Sequence, residues 1–266
     1  MTSSMNENTV MRTRQILNGI TRQAVQVARG ALWACLLVAS AQALAASDGK
    51  QPTGQARQAG LVSAYAQAAT TAGRESFRGE QLGDIVKDFW RWSYSIPFDV
   101  NPLADPTGGL NCGINQEGAI WFLAAPVDSA VTRTCVIPHD KAIVTPVVAI
   151  LDDWPCPPGF NFNPGPNQSL EEFLRLDVGS LIDAVTAPSV TLDGKALKVR
   201  RVASELFGFT AAANVVQFDS CVTGSPQLGL ADGYWAFIDP LPRGKHTLKI
   251  TASFPSVNVT FTLDVR

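Results

Sequence analysis

The sequence predicts a mainly β domain with some α: a β-sandwich or jelly-roll-like body decorated by two or three helices. Three observations predict it. Residues 119–125 form an apolar run fenced by Gly118 and Pro126, with the length and aromatic content of a strand buried on both faces. Asp193-Gly194 separates two short β-prone runs, 190–192 and 196–199, a strong hairpin signal. Val257, Val259, Phe261, Leu263 and Val265 alternate with more polar residues, so the last strand turns one face to a core.

Taken in order, residues 1–45 read as a signal peptide. Arg12, Arg14, Arg22 and Arg29 make a basic lead, residues 31–39 an apolar core, and Ala43-Leu44-Ala45 a small-x-small cleavage site. The apolar core is too short to span a bilayer, and no later segment reaches the roughly 20 apolar residues required. Cys35 leaves with the peptide. The full chain carries a net charge of −2; the leader holds four Arg and one Glu, net +3, so the mature 221 residues carry −5. A mildly acidic body has no electrostatic footprint for nucleic acid.

Residues 46–79 are expected to be a flexible or loosely helical lead-in, with an Ala-rich helix over 61–72. Residues 80–266 are expected to be one disulfide-stapled, β-rich domain. Leu82, Ile85, Val86 and Phe89 recur at helical spacing, giving an amphipathic helix that ends before Pro97. Trp90, Trp92 and Tyr94 extend it, as core packing against a sheet or as an aromatic platform for a ligand.

Residues 97–110 read as a loop. Cys112 and Cys135 flank the 119–125 run, whose expected partner is a second short strand over 134–137 after a polar reversal. The strand over 141–151 is interrupted by Pro146, which points to an edge or a bulge. Residues 152–166 read as a long Pro/Asn/Gly loop carrying Trp154 and Cys156. Ser169 and Glu172 form a capping box for a helix that stops before Pro188.

Four cysteines remain after cleavage, Cys112, Cys135, Cys156 and Cys221, an even set that reads as two disulfides with three possible connectivities. Cys112–Cys135 with Cys156–Cys221 is the pairing expected, since the first pair flanks one strand unit. That bridge closes a loop of about two dozen residues, worth roughly 3 kcal/mol in the chain-entropy model. Without a Cys-x-x-Cys, zinc and thioredoxin-like chemistry lack their spacing.

The chemistry scan is sparse. There is no Gly-x-Ser-x-Gly elbow, His-Glu-x-x-His, P-loop or Gly-x-Gly-x-x-Gly. The two histidines are His139, in a tight turn, and His246, on a strand after a Pro-x-x-Gly turn, where a structural hydrogen bond is its expected role. Asp105, Asp152, Glu171 and Asp232 are the carboxylates a glycosidase could use. No cofactor is expected. Asp152 and Asp153 are the candidate Ca²⁺ ligands, on a loop that lacks EF-hand spacing. Gln116 sits at a strand entrance, where such a residue usually satisfies backbone groups. The ligand-binding candidates are therefore Trp90, Trp92, Gln116, His139, Trp154 and Asp232.

Trp90-x-Trp92, Pro102-x-x-Asp105-x-Thr-Gly, Cys112-x-x-x-Gln116-x-Gly-x-x-Trp-Phe-Leu-Ala, Arg133-x-Cys-x-Ile-Pro and Asp232-Gly-Tyr-Trp with Pro-Leu-Pro-x-Gly-x-His form a motif string. Over roughly residues 80–265 it resembles a group of uncharacterised exported bacterial proteins. The resemblance brings no assigned activity, so it assigns no catalytic residue. The closing Pro-Leu-Pro-x-Gly-x-His-Thr-Leu segment also resembles the last hairpin of Ig-like and jelly-roll binding domains. The expectation is an exported protein, periplasmic or extracellular, whose sandwich binds a glycan or another envelope component. The alternatives are a secreted hydrolase of glycans or esters using loop carboxylates and a His, and a structural envelope protein.

Overall fold

In the computed structural model the described residues are 75–105, 109, 111–124 and 130–266, all within one compact unit, Gly60–Arg266. The leader, its cleavage site, Cys35 and the helix expected over 61–72 lie outside the described residues. So does most of the turn after Asp105.

The described chain opens on a tight hairpin, β1 (Ser76–Phe77) and β2 (Glu80–Gln81). Arg78 and Gly79 between them both have positive φ, the twist a two-residue hairpin turn requires. Secondary structure therefore begins ahead of the boundary expected at residue 80. Helix α1 (Leu82–Ser95) follows directly and buries the expected stripe of Leu82, Ile85, Val86 and Phe89. It stops because Pro97 disfavours helical backbone at Ile96, which is extended.

Two five-stranded sheets form the body. The first orders β3 (Ile120–Phe122), β5 (Ala142–Trp154), β10 (Pro226–Ile238) and β8 (Val199–Ala203), with β9 (Phe207–Thr210) also on β10. The second orders β4 (Ala130–Ile137), β12 (Val257–Val265), β11 (Gly244–Ala252), β6 (Ser189–Leu192) and β7 (Lys195–Ala196). The fold is thus the expected mainly β sandwich with helical decoration.

One local expectation is corrected. The segment after the 119–125 run is not the partner strand of that run: β3 pairs in parallel with β5, and β4 pairs in parallel with β12 in the opposite sheet. The burial pattern explains the division. Along β4, Arg133, Cys135 and Ile137 are buried while Thr132, Thr134 and Val136 are exposed, as suits a sheet with one wet face. In β3, Ile120 and Trp121 are both buried, as suits a strand covered on two sides.

Pro146 takes the role its chemistry allows. Val148 pairs with Tyr234 and Pro146 with Trp235, so one extra residue on β5 forms a bulge there. The neighbouring β3 pairing ends at Val144, so the missing proline N–H breaks no ladder on that side. Asp193 and Gly194, both with positive φ, make the expected turn between β6 and β7. Helix α2 (Leu170–Asp183) starts at Ser169, whose side chain accepts the Glu172 N–H at 3.1 Å.

Strand alternation sets the layers. On β10, Ala231, Trp235 and Phe237 meet α1, together with Phe89, Trp90 and Val144. Ala236 and Ile238 meet the second sheet, with Ile143, Val147, Phe261 and Leu263. Further along this inner face the second sheet gives way to α2, where Leu174 and Val178 pack on Leu230, Ile150 and Trp154.

Candidate functional site

Most of the candidate residues serve the scaffold. Trp90 and Trp92 are buried, packed edge-on or tilted against Phe89, and Trp92 donates its indole N–H to the Ile114 carbonyl. Core packing wins over an aromatic platform for both. The helix is covered beyond its sheet-facing stripe, and the two tryptophans lie on either flank of Phe89. Trp121 and Trp235 are buried as well.

Gln116 works as a one-residue strand. Its amide accepts the Phe122 N–H and donates to the Phe122 and Cys112 carbonyls, completing the hydrogen bonds of β3. Asp232 is buried and answers Arg201 at 2.6 Å, while Arg201 also reaches Asp183 of α2 at 2.6 Å. Arg201 is thus a strap between the sheet and the helix.

The histidines are apart from these groups. His139 lies exposed in the turn before β5 and contacts the Arg266 carbonyl at 3.1 Å. Asp152 stands ten residues beyond the start of β5, about 33 Å away along an extended strand. His139 and Asp140 therefore do not converge with Asp152 and Asp232 on a hydrolytic centre. His246 makes structural bonds, to Asp193 at 2.7 Å and to the Pro242 carbonyl at 2.9 Å.

The loop expected to begin at Asp152 is corrected: β5 runs on through Trp154. In a strand, neighbours point to opposite faces. Asp153 is buried on the α1 side and Asp152 turns toward α2, so the two do not act as joint Ca²⁺ ligands. Among the described residues, no group of three or more His, Cys, Asp or Glu side chains is arranged to hold a metal ion.

What the strand does bring together is a corner under α2. Trp154 follows Asp152 on the same face and is half-buried against Phe162, Leu170 and Phe173, with its indole N–H donating to Asn163 at 3.3 Å. Phe162 and Phe173 stack at 4.6 Å. Asp177 of α2 lies close enough for its charge to act on the Asp152 carboxyl. Asp152 is half-buried, and its Oδ2 is sealed from solvent and meets no donor. Burial first, then the Asp177 charge, holds its carboxyl well above the usual carboxylate range.

Behind the corner, on the α1 side, lies a buried polar network. Asp153 Oδ2 accepts from Gln227 at 2.7 Å, and burial with the nearby Asp219 charge raises its pKa to about 8. The Tyr94 hydroxyl donates to Asp219 at 2.7 Å. Gln227 also donates to the Pro155 and Cys221 carbonyls, on either side of the Cys156–Cys221 disulfide. That bridge and Cys112–Cys135 are the pairing expected from the sequence.

Asp177 did not stand out among the sequence candidates, although a signal was present. Leu170, Phe173, Leu174, Val178 and Leu181 mark the apolar stripe of α2, and position 177 falls on that stripe with a carboxylate in it. No family model, curated protein or solved structure matches the chain. The two disulfides are compatible with an exported protein, and among the described residues no helix is long and apolar enough to cross a membrane.

Proposed function

We propose that the protein is an exported binding module that takes carbohydrate at the corner under α2. The observation that carries this reading is the placement of Asp152 and Trp154 on one face of β5, joined there by Asp177, Asn163 and Phe162. Sugars present apolar C–H faces and fixed hydroxyls. They are recognised by an aromatic ring beside a few planar polar side chains, a mostly apolar site with few convergent polar groups. Trp154 supplies the ring, and Asn163 and Asp177 supply the polar groups.

The leader, the motif resemblance and the paired cysteines support export to the periplasm or the medium. The scattering of His139, Asp140 and Asp232 away from this corner favours binding over hydrolysis.

The test is a glycan array on the mature protein, followed by calorimetric titration of Trp154→Ala and Asn163→Ala against the best glycan. Binding that weakens about tenfold or more in both variants, a loss of about 1.4 kcal/mol each, is the expected result. No retained glycan, or unchanged affinity in both variants, overturns the proposal.

A further inference from the structure

We propose, resting on the carbohydrate reading above, that the site continues from the corner as a shelf across three strands, Trp154, Leu228 and Gly208. The shelf takes an unbranched, uncharged, β-1,4-linked glycan of at least three sugars.

The row follows from register. Leu228 of β10 stands opposite Trp154 of β5 on one side and opposite Gly208 of β9 on the other. Residues directly opposite share a face, and strands lie about 4.8 Å apart, so the row is roughly 10 Å long. It lies on the face where Leu230, opposite Asp152, packs on Leu174 of α2. Along the row that face is open: Leu228 is 38 % exposed, and Gly208, Pro226 and Thr210 are exposed too.

A glycine inside a strand needs a reason, because it weakens the strand and brings no side chain to pack. Gly229 and Gly233 of β10 have one. A Cβ would stand 2.8 Å from Leu151 Cδ1 at the first and 2.5 Å from Ala149 Cβ at the second. The fold gives Gly208 no such reason: a Cβ there meets nothing within 4 Å, and its φ lies outside the left-handed region. The bare position instead lets a flat molecule lie close to the backbone. A single exposed leucine is ordinary. Here it stands in line between a half-buried tryptophan and a glycine that packing does not require.

Trp154, Leu228, Gly208, Pro226 and Thr210 carry no charge, so the shelf offers an anionic polymer nothing to hold. Apolar side chains flanked by the Thr210 hydroxyl and the Asn163 amide suit pyranose rings, which have apolar faces and hydroxyl-bearing edges. A straight row needs a straight chain. β-1,4 linkage gives an extended ribbon whose sugars follow one another at about the strand spacing, whereas α-1,4 linkage coils away. One ring then lies over Trp154, the next over Leu228 and the third over Gly208.

The test is calorimetric titration of the mature protein with β-1,4-linked oligomers of glucose and of N-acetylglucosamine, one to four sugars long, beside the α-1,4-linked glucose trimer. Affinity for the better series is expected to rise about tenfold or more from one sugar to three, and less than about twofold from three to four. In Gly208→Leu the gain from the third sugar should vanish while the disaccharide binds as before. Leu228→Ser should lose the gain from the second sugar, and both variants should keep the parent Tm because both positions are exposed. Affinity that ignores chain length, an α-1,4 trimer that binds equally well, or Gly208→Leu binding the β-1,4 trimer unchanged overturns the shelf. If Trp154→Ala still weakens binding in those cases, the corner reading survives without it. No binding of either series also overturns the shelf, and the glycan array then decides the corner separately.

Discussion

Two regions of this sandwich bury charge beside a disulfide, and they solve the problem in opposite ways. Next to Cys112–Cys135, Arg133 is fully buried on β4, and its guanidinium is held by the carbonyls of Pro102, Ala124 and Asp105. Next to Cys156–Cys221, Asp153 is buried with Gln227 as its side-chain donor, and Asp152 feels the charge of a second acid, Asp177. Arginine cannot shed its charge at any ordinary pH, so the chain must bring acceptors to it. A carboxyl can take up a proton, so it can be buried with fewer partners. The first region is therefore built around a permanent charge, and the second around carboxyls whose charge depends on pH.

The sharpest way to break the first half of this contrast is Arg133→Ala. It strands three carbonyls arranged around a cation and empties a large buried volume. A loss of about 3 kcal/mol or more is expected in urea unfolding, the same at pH 5 and pH 8. A loss that varied strongly between those pH values would mean that the Asp105 carboxylate, rather than the three carbonyls, sets the energy.

The second half is tested at Asp153. Its folded pKa, about 8, lies above its ordinary value of 3.8, so between those values the folded protein holds a proton that the unfolded chain has released. The stabilisation from this group is complete below about pH 4, falls through the interval, and is gone above pH 8. The size is on the order of a few kcal/mol. Unfolding free energies at pH 5, 7 and 9 should show that decline, and Asp153→Asn should flatten much of it. A stability that instead rose from pH 5 to pH 9 would contradict the assignment of a protonated Asp153.

How much of this contrast the sequence displays depends on the residue. The hairpin turn at Asp193-Gly194, the α2 cap at Ser169 and the bulge at Pro146 rest on backbone rules that act within a few residues, and all three are visible in the chain. The disulfide pairing was one of three choices. Sheet membership of β4 was hidden, because a parallel partner comes from more than a hundred residues away and leaves no local mark. The buried acids were half visible. Asp177 interrupts an apolar helix stripe and Arg133 interrupts the inward positions of β4, yet their partners depend on strand register. The tryptophans misled for a related reason: composition counts rings but does not say which face of α1 they occupy.

Arg201 offers a smaller test of the same idea, since it brings a permanent cation to the acid side. Arg201→Gln removes the partner of the buried Asp232 and the strap to Asp183. The expected loss is about 2 kcal/mol, less than for a fully buried pair because the arginine is partly exposed. Unchanged stability would show that the Gly233 N–H, which donates to Asp232 at 2.7 Å, satisfies that side chain without the arginine.

The smallest effect belongs to His246, on the solvent side of the second sheet. Both ring nitrogens face acceptors, Asp193 Oδ2 and the Pro242 carbonyl, so the doubly protonated ring satisfies both. The hydrogen bond to Asp193 raises the His246 pKa and lowers that of Asp193. The histidine's contribution is complete below its unfolded value near 6.5 and is lost as pH rises through the folded one. The aspartate's contribution is present above about 3.9 and is lost as pH falls through its depressed value. The pair therefore helps most between roughly pH 4 and 6.5, by less than about 1 kcal/mol at so exposed a place. His246→Ala should lower Tm at pH 5.5 and leave it nearly unchanged at pH 9. An equal loss at both would mean that the ring matters for packing beside the β6–β7 turn, and that the charge on it does not.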